Sequence, residues 1–343
     1  MYLQSLATAV PPRAFTQREI WEALNRSPLA SRLKPRSLDL LGRILNGDSG
    51  IETRHFAFDR PEDVFLLEAQ ELNERFEAAA PALAAEALAG ALDRAGLVAN
   101  DLDGLVVCTC TGYLCPGLSS FVAERLGLRT DAWLSDLAGQ GCGAAIPTLR
   151  QAAHFLAAHP GRRIATVAVE ICSAAFHLDD DPGVLISACL FGDGAAAAVW
   201  SDRPAPSSPP LHCDRFQTLH FPEHRERLRF ANHQGKLRNI LHRSVPGLAA
   251  EAVARLHADQ EPGGTAAVVL AHTGGKKVVE ALRAALPGHP LEETEALLRT
   301  HGNMSSPAIL FVLERALAAG RPQSYWLTSF GAGFTCHACR VSG

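Results

Sequence analysis

One arrangement occurs twice in these 343 residues, and it restricts the fold more than any other feature. Each half holds a short apolar run, a loop set with small residues, an apolar helix and two further apolar runs. Gly104-Leu105-Val106-Val107-Cys108-Thr109-Cys110 is matched in kind by Ala266-Ala267-Val268-Val269-Leu270-Ala271-His272. Gly141-Cys142, ahead of a helical pattern at 146–158, is matched by Gly302-Asn303-Met304-Ser305-Ser306, ahead of one at 308–317. The runs 163–170 and 195–200 find counterparts at 324–330 and 334–341. The offset is roughly 160 residues, so the pattern reads as a duplication rather than a short-period solenoid. Short apolar runs alternating with helices predict mostly parallel sheets covered by helices. Two such halves about a pseudo-two-fold axis would bring Cys142 and Asn303 near the centre, as a composite site.

Pro204-Ala205-Pro206-Ser207-Ser208-Pro209-Pro210 is the clearest loop and separates the halves 1–203 and 211–343. Ahead of the first repeat, a short strand and a Pro-Pro turn lead to helical patterns at 17–24 and 37–45. Amphipathic helices are predicted at 68–76 and 82–95, the second stopped by Gly96. The stretches 212–220 and 226–241 read as polar, half-exposed strands turning at Asn232-His233-Gln234-Gly235.

Hydrophobic residues at 47% and charged residues at 20% describe a globular chain. A net charge of −4 without a long basic block argues against nucleic acid as a partner. No apolar run reaches membrane-spanning length, and the N-terminus lacks the basic and apolar regions of a secretory signal. Nine cysteines in that setting read as reduced thiols of a cytoplasmic protein. Cys336-His337-Ala338-Cys339 looks superficially like a metal motif. In a strand, however, Cys336 and His337 point to opposite faces, and no second ligand pair lies nearby, so no metal is expected.

The chemistry gathers at three positions. Cys142 stands among glycines at a helix start, where close approach is allowed and unpaired N–H groups favour a thiolate. The same groups suit the oxyanion of an attacked thioester. Taken alone, Cys142 reads more readily as a small core residue, since free cysteines are commonly buried and inert. His272 closes a strand ahead of Thr273-Gly274-Gly275, where histidines are commonly structural. Asn303 precedes a helix, where asparagine is a favoured cap. Together the three suit acyl transfer to Cys142, with His272 and Asn303 donating hydrogen bonds to a carbonyl oxygen during decarboxylation of a malonyl thioester.

These motifs resemble those of the type III polyketide synthases, the chalcone-synthase-like branch of the thiolase superfamily. Gln140-Gly141-Cys142 is similar to the nucleophile motif, His272-Thr273-Gly274-Gly275 to His-x-Gly-Gly, and Gly302-Asn303-Met304-Ser305-Ser306 to Gly-Asn-Met-Ser-Ser. Leu190-Phe191-Gly192-Asp193-Gly194 and Ser329-Phe330-Gly331-Ala332-Gly333 resemble two further signatures, and all five keep the family's order. Ketoacyl-ACP synthase III shares the triad, but its Gln-Ala-Asn and Gly-Asn-Thr-Ser motifs are missing here.

The resemblance implies a five-layer α/β/α/β/α thiolase-like fold with two pseudo-symmetric halves, and a homodimer. It implies an acyltransferase that condenses an acyl starter with malonyl-CoA by decarboxylative Claisen chemistry, ending in a resorcinol or pyrone. A single-round ketosynthase or acyltransferase served by acyl carrier protein, and a non-catalytic partner subunit, are the alternatives. No permanent cofactor is implied, only coenzyme A thioesters as substrates. The cavity is expected to involve Cys110 and Thr111, Phe176 and Asn239 at the gatekeeper positions, and Ser305, Phe330 and Gly331. Cys115, before Pro116, is expected to line the partner's cavity across the dimer interface. Coenzyme A phosphates are expected at Arg54, Lys276 and Lys277.

Overall fold

Strand Gly194–Ser201 shows how the sequence builds the core, because all eight of its residues are buried. Its alternate side chains enter two separate cores, so helices must cover both faces. In the computed structural model, which describes residues 1–64, 68–205, 210–259, 268–320 and 324–343, the same alternation holds for the strands Gly104–Cys108 and Arg163–Glu170. The first half comprises β1 (Tyr2–Ala9), β2 (Ala14–Thr16), α1 (Gln17–Arg26), α2 (Pro35–Leu45), β3 (Thr53–His55), α3 (Ala69–Ala95), β4 (Gly104–Cys108), α4 (Leu118–Leu126), β5 (Trp133–Leu137), α5 (Ala145–Ala158), β6 (Arg163–Glu170), α6 (Pro182–Leu190) and β7 (Gly194–Ser201). The second comprises β8 (Leu211–His220), β9 (Leu228–His233), β10 (Lys236–Leu241), α7 (Val245–Ala258), β11 (Val268–Ala271), α8 (Lys276–Ala285), α9 (Glu292–His301), α10 (Ala308–Ala318), β12 (Ser324–Gly331) and β13 (Thr335–Ser342).

Nine strands form one sheet in the order β11-β12-β13-β8-β1-β7-β6-β4-β5. Within the sheet the halves join where Tyr2 pairs with His212 and Leu3 with Leu211. The core clusters define five layers. Helices α3 and α4 cover the outer face of the first half through Leu88, Leu105, Val122 and Ala197. Helices α7 and α8 cover the outer face of the second through Val253, Val269, Leu282 and Ala338. Between the inner faces lie α5 and α10, with Leu149 and Leu313 in one core with Val106, Ala198, Leu270 and Cys339. This is the thiolase-like layering.

Two sequence expectations need correction. The sheet is mixed: β4 pairs in parallel with β5 and β6, and β11 with β12, while its other neighbours run antiparallel. Strand β12 turns into β13 over residues 332–334, far too short for the crossover a parallel pair requires. The helices expected at 68–76 and 82–95 are one, α3, with Pro81 inside. Proline removes one hydrogen bond there, and the buried stripe of Ala80, Ala84, Leu88 and Ala91 carries the helix across it. Strand β5 carries no strand signal in the sequence, because Trp133 and Leu134 lie exposed on the sheet's edge. The hairpin β9–β10 turns where expected, with positive φ at Gln234 (51°) and Gly235 (75°). Of the boundary loop 204–210, residues 206–209 lie outside the described residues, as do Ala266 and Ala267 of the second-half strand.

Candidate active site

Cys142 occupies a single 3₁₀ turn, Gly141–Gly143, that feeds directly into α5. The turn lies against the end of β12. A Cβ on Gly331 would overlap the Gln140 carbonyl and reach 2.6 Å from the Gly143 nitrogen and 3.0 Å from that of Cys142. Only glycine permits this approach. Ser329 reinforces it by donating to the Gly143 carbonyl at 3.2 Å.

The same strand sets His272, whose backbone N–H donates to the Thr328 carbonyl at 3.0 Å. The imidazole packs edge-on against Phe330 with centroids 5.2 Å apart. Its Nδ1 is buried without a hydrogen-bond partner. Burial lowers its pKa to about 3, so the ring is neutral. The next residue, Thr273, donates to the Gly302 carbonyl at 3.2 Å and so ties the histidine turn to the asparagine loop.

Asn303 is buried, and its side-chain Oδ1 accepts the Ser305 N–H at 2.8 Å. A backbone N–H requires an acceptor, so the oxygen is fixed and the amide NH₂ is the end left to donate. Ser305 holds a left-handed φ of 61°, unusual for a residue with a Cβ. Its hydroxyl stands 3.3 Å from the Cys142 sulfur, 3.3 Å from the Cys110 sulfur and 3.3 Å from Glu170 Oε1. Cys142 and Asn303, counterparts in the duplication, thus meet through Ser305.

Glu170 is a centre that sequence reasoning missed. It ends β6 fully buried and collects donors from both halves. Cys110 N (2.9 Å), Thr111 Oγ1 (2.9 Å) and Thr109 Oγ1 (3.2 Å) bond Oε2, while Ser306 Oγ (2.6 Å) and Ser305 Oγ bond Oε1. Its sequence signal is an acidic residue ending the apolar run Val167-Ala168-Val169. The surroundings of Cys142 oppose the thiolate expected there. Burial pushes the thiol up to about 12, Ser305 pulls it down through its hydrogen bond, and the Glu170 charge opposes ionisation. The helix start does not outweigh that burial.

Beside the triad lies a narrow cavity with about 20 Å³ of open space, enough for one water. Thr111, Phe176, Asn239 and Ser305 line it, and Phe191 and Phe230 also contribute to its wall. Phe176 packs edge-on against Phe56, centroids 5.7 Å apart. Asn239 makes the wall polar, donating to the Ser187 hydroxyl at 2.7 Å, and register pairs it with Phe230. Cys110 reaches the site through Ser305, whereas Phe330 and Gly331 support it from behind. Cys115 is exposed on its loop and lies outside this chain's own cavity.

Arg54 is a correction. Instead of meeting phosphates at the surface it is fully buried, with Nε donating to Gln17 Oε1 (3.0 Å) and Nη1 to the Ala188 and Phe191 carbonyls (both 2.7 Å). It braces the end of α6 beside the cavity wall. Lys276 opens α8 in an exposed ion pair with Asp48, and Lys277 is exposed beside it. Along β13, Cys336 enters the outer core and Cys339 the inner one, so the two cysteines face apart.

Known proteins align along this whole framework. The 3,5-dihydroxyphenylacetyl-CoA synthase of Streptomyces toyocaensis is 32% identical over 359 residues, covering 98% of this chain and 88% of that protein. The 1,3,6,8-tetrahydroxynaphthalene synthase of Streptomyces peucetius subsp. caesius is 31% identical over 350 residues, covering 95% and 89%. The crystal structure of 1,3,6,8-tetrahydroxynaphthalene synthase from Streptomyces coelicolor A3(2) superposes with a TM-score of 0.87 at 25% identity, covering 100% of this chain and 99% of that one. PKS-I of the brown alga Ectocarpus siliculosus shares the fold, with a TM-score of 0.87, 24% identity and coverages of 99% and 97%. Residues 4–204 match the family described as chalcone and stilbene synthases, N-terminal domain. With that match and full-length relatives among the synthases, the chain belongs to the chalcone and stilbene synthase family of type III polyketide synthases, enzymes that condense a starter acyl-CoA with malonyl-CoA by decarboxylation.

Proposed function

We propose that Cys142 carries the growing acyl chain, and that His272 and Asn303 form the donor pair for the enolate. Neutral thiol and neutral imidazole mean that the proton passes from sulfur to His272 as sulfur attacks the starter thioester. The departing coenzyme A thiolate takes that proton away. The malonyl thioester carbonyl then receives hydrogen bonds from His272 and the Asn303 NH₂ as carbon dioxide leaves. The enolate carbon attacks the Cys142 thioester, the new carbon–carbon bond forms, and the sulfur departs. The observation that carries this reading is the Asn303 side-chain carbonyl held by Ser305 N–H, which leaves the NH₂ to donate. Asn303→Ala should retain acylation of Cys142 by a short acyl-CoA and lose malonyl-CoA decarboxylation by about 100- to 1,000-fold. Decarboxylation within a few-fold of wild type would reduce Asn303 to a helix cap.

The narrow, partly polar cavity supports a short starter and cyclisation to a resorcinol or pyrone after few extensions. Lys276 and Lys277 supply the cations for coenzyme A. A second reading, single-round condensation fed by acyl carrier protein, is favoured by the removal of Arg54 from the surface. Product masses from a panel of acyl-CoAs with malonyl-CoA separate the two. A homodimer is supported by Trp133 and Leu134 on the open edge of β5 and by Tyr113, 82% exposed, on the loop that carries Cys115. No described helix is long and apolar enough to cross a membrane, which accords with a cytoplasmic enzyme.

A further inference from the structure

Behind the nucleophile turn, on the side away from the cavity, α5 and the inner face of β8 and β13 leave a second cavity of about 290 Å³. Helical spacing puts Pro147, Arg150, Gln151 and His154 on the helix face that lines it. Gln140, Gln217, Thr218 and His337 complete a polar wall that contains no carboxylate. Arg150 is exposed and without an ion pair or hydrogen bond among the described residues. His337 is only 3% exposed, yet its Nε2 is buried with no hydrogen-bond partner, while Nδ1 meets Thr218 Oγ1 at 3.0 Å. An unsatisfied polar nitrogen of this kind costs free energy unless something pairs with it. A free guanidinium, a buried unpartnered imidazole and no acid together favour an anion with oxygen acceptors.

We propose that this cavity binds a small oxyanion, a carboxylate or phosphate, between Arg150 and the Nε2–H of His337, and that its occupancy is felt at Cys142. The anion would fix the tautomer, with Thr218 donating to Nδ1 and Nε2–H donating to the ligand. The coupling has a short path. Gln140 lines the cavity and begins the nucleophile turn, and the His337 ring lies where a Cβ on Gly143 would be only 3.0 Å from its Cδ2. An anion that draws the ring toward Arg150 alters the packing against that turn. This rests on Cys142 as nucleophile only for the second readout below; binding itself does not.

Isothermal titration of the full chain with inorganic phosphate, malonate and benzoate separates the two anion chemistries. Saturable binding of at least one, weakened at least tenfold in Arg150→Ala and in His337→Phe, is expected. Arg150 is exposed, so its variant keeps the test valid should the His337 variant fail to fold. Asn303→Ala, which disables the proposed decarboxylation, should bind like wild type, so failure of the catalytic reading and failure of this one stay distinguishable. Saturation should also change the iodoacetamide alkylation rate of Cys142 in wild type and not in Arg150→Ala. No saturable binding of any probe, or binding untouched by both cavity variants, would overturn the site. Binding without any change at Cys142 would overturn the coupling.

Discussion

Replacing Glu170 by glutamine tests how the site sets the reactivity of Cys142. Glutamine keeps the shape and removes the charge. Its NH₂ cannot face the Cys110 backbone N–H, a fixed donor, so it turns to Ser305 and Ser306, whose hydroxyls rotate to accept. The contacts from Glu170 to Ser305 and from Ser305 to Cys142, each 3.3 Å, put carboxylate and sulfur close together. At a separation of roughly 6 Å and an effective dielectric of about 20, one charge contributes about 2.8 kcal/mol, or about two pH units. Donation from the glutamine NH₂ leaves the Ser305 hydroxyl free to donate to the Cys142 sulfur, which adds to the fall, so a drop of at least about one pH unit is expected in practice. Because the thiol titrates near 12, a drop of that size raises the thiolate fraction at neutral pH about tenfold, while intrinsic nucleophilicity falls about threefold. The net expectation is alkylation by iodoacetamide about threefold faster than wild type, read by quenched mass spectrometry at Cys142. Ser305→Ala removes the bond that lowers the thiol and should slow alkylation instead. Effects of the same sign in both variants, with native circular dichroism, would refute the electrostatic account.

Cys115→Trp should shorten the accepted starter or the chain, leaving acylation of Cys142 by acetyl-CoA nearly unchanged; an unaltered product profile refutes its place across the dimer. Gly331→Ala should cost more than tenfold in condensation with the fold retained, since the new methyl displaces the Cys142 turn; wild-type turnover would show that the turn yields freely. Acid should destabilise the fold. His272 (about 3), His301 and His337 (both about 4) stay neutral when folded but take up protons when unfolded, so their stabilisation is lost as pH falls below the ordinary histidine range. Asp193, raised to about 6, holds its proton in the fold and opposes them. The balance is about two protons near pH 5, or about 2.5 kcal/mol per pH unit, measurable by urea denaturation against pH. A flat profile between pH 7 and 5 contradicts these assignments.

The duplicated order of strands, turns and helices was legible because buried strands and glycine-set turns leave strong local patterns. The positions of Cys142, His272 and Asn303 followed from it. What escaped depends on partners distant in sequence. Arg54, between polar neighbours, reads as a surface cation until Gln17 and the carbonyls of Ala188 and Phe191 close around it. Glu170 gains meaning only when Thr109–Thr111 and Ser305–Ser306 arrive from different segments. Strand β5 escaped because its apolar side chains face outward, and α3 because a local rule about proline yields to a buried alanine stripe.

The middle layer has a consequence for how the molecule comes apart. Since α5 from one half and α10 from the other share a single core with both inner sheet faces, neither repeat owns a complete interior. A half separated from its twin exposes Leu149, Val106 and Ala198, or Leu313, Leu270 and Cys339, together with a shared helix stripped of one side. The repeat in pattern is therefore not matched by autonomy. The two copies should melt as one cooperative unit, and the loops of Cys142 and Asn303 at their seam should come apart with it.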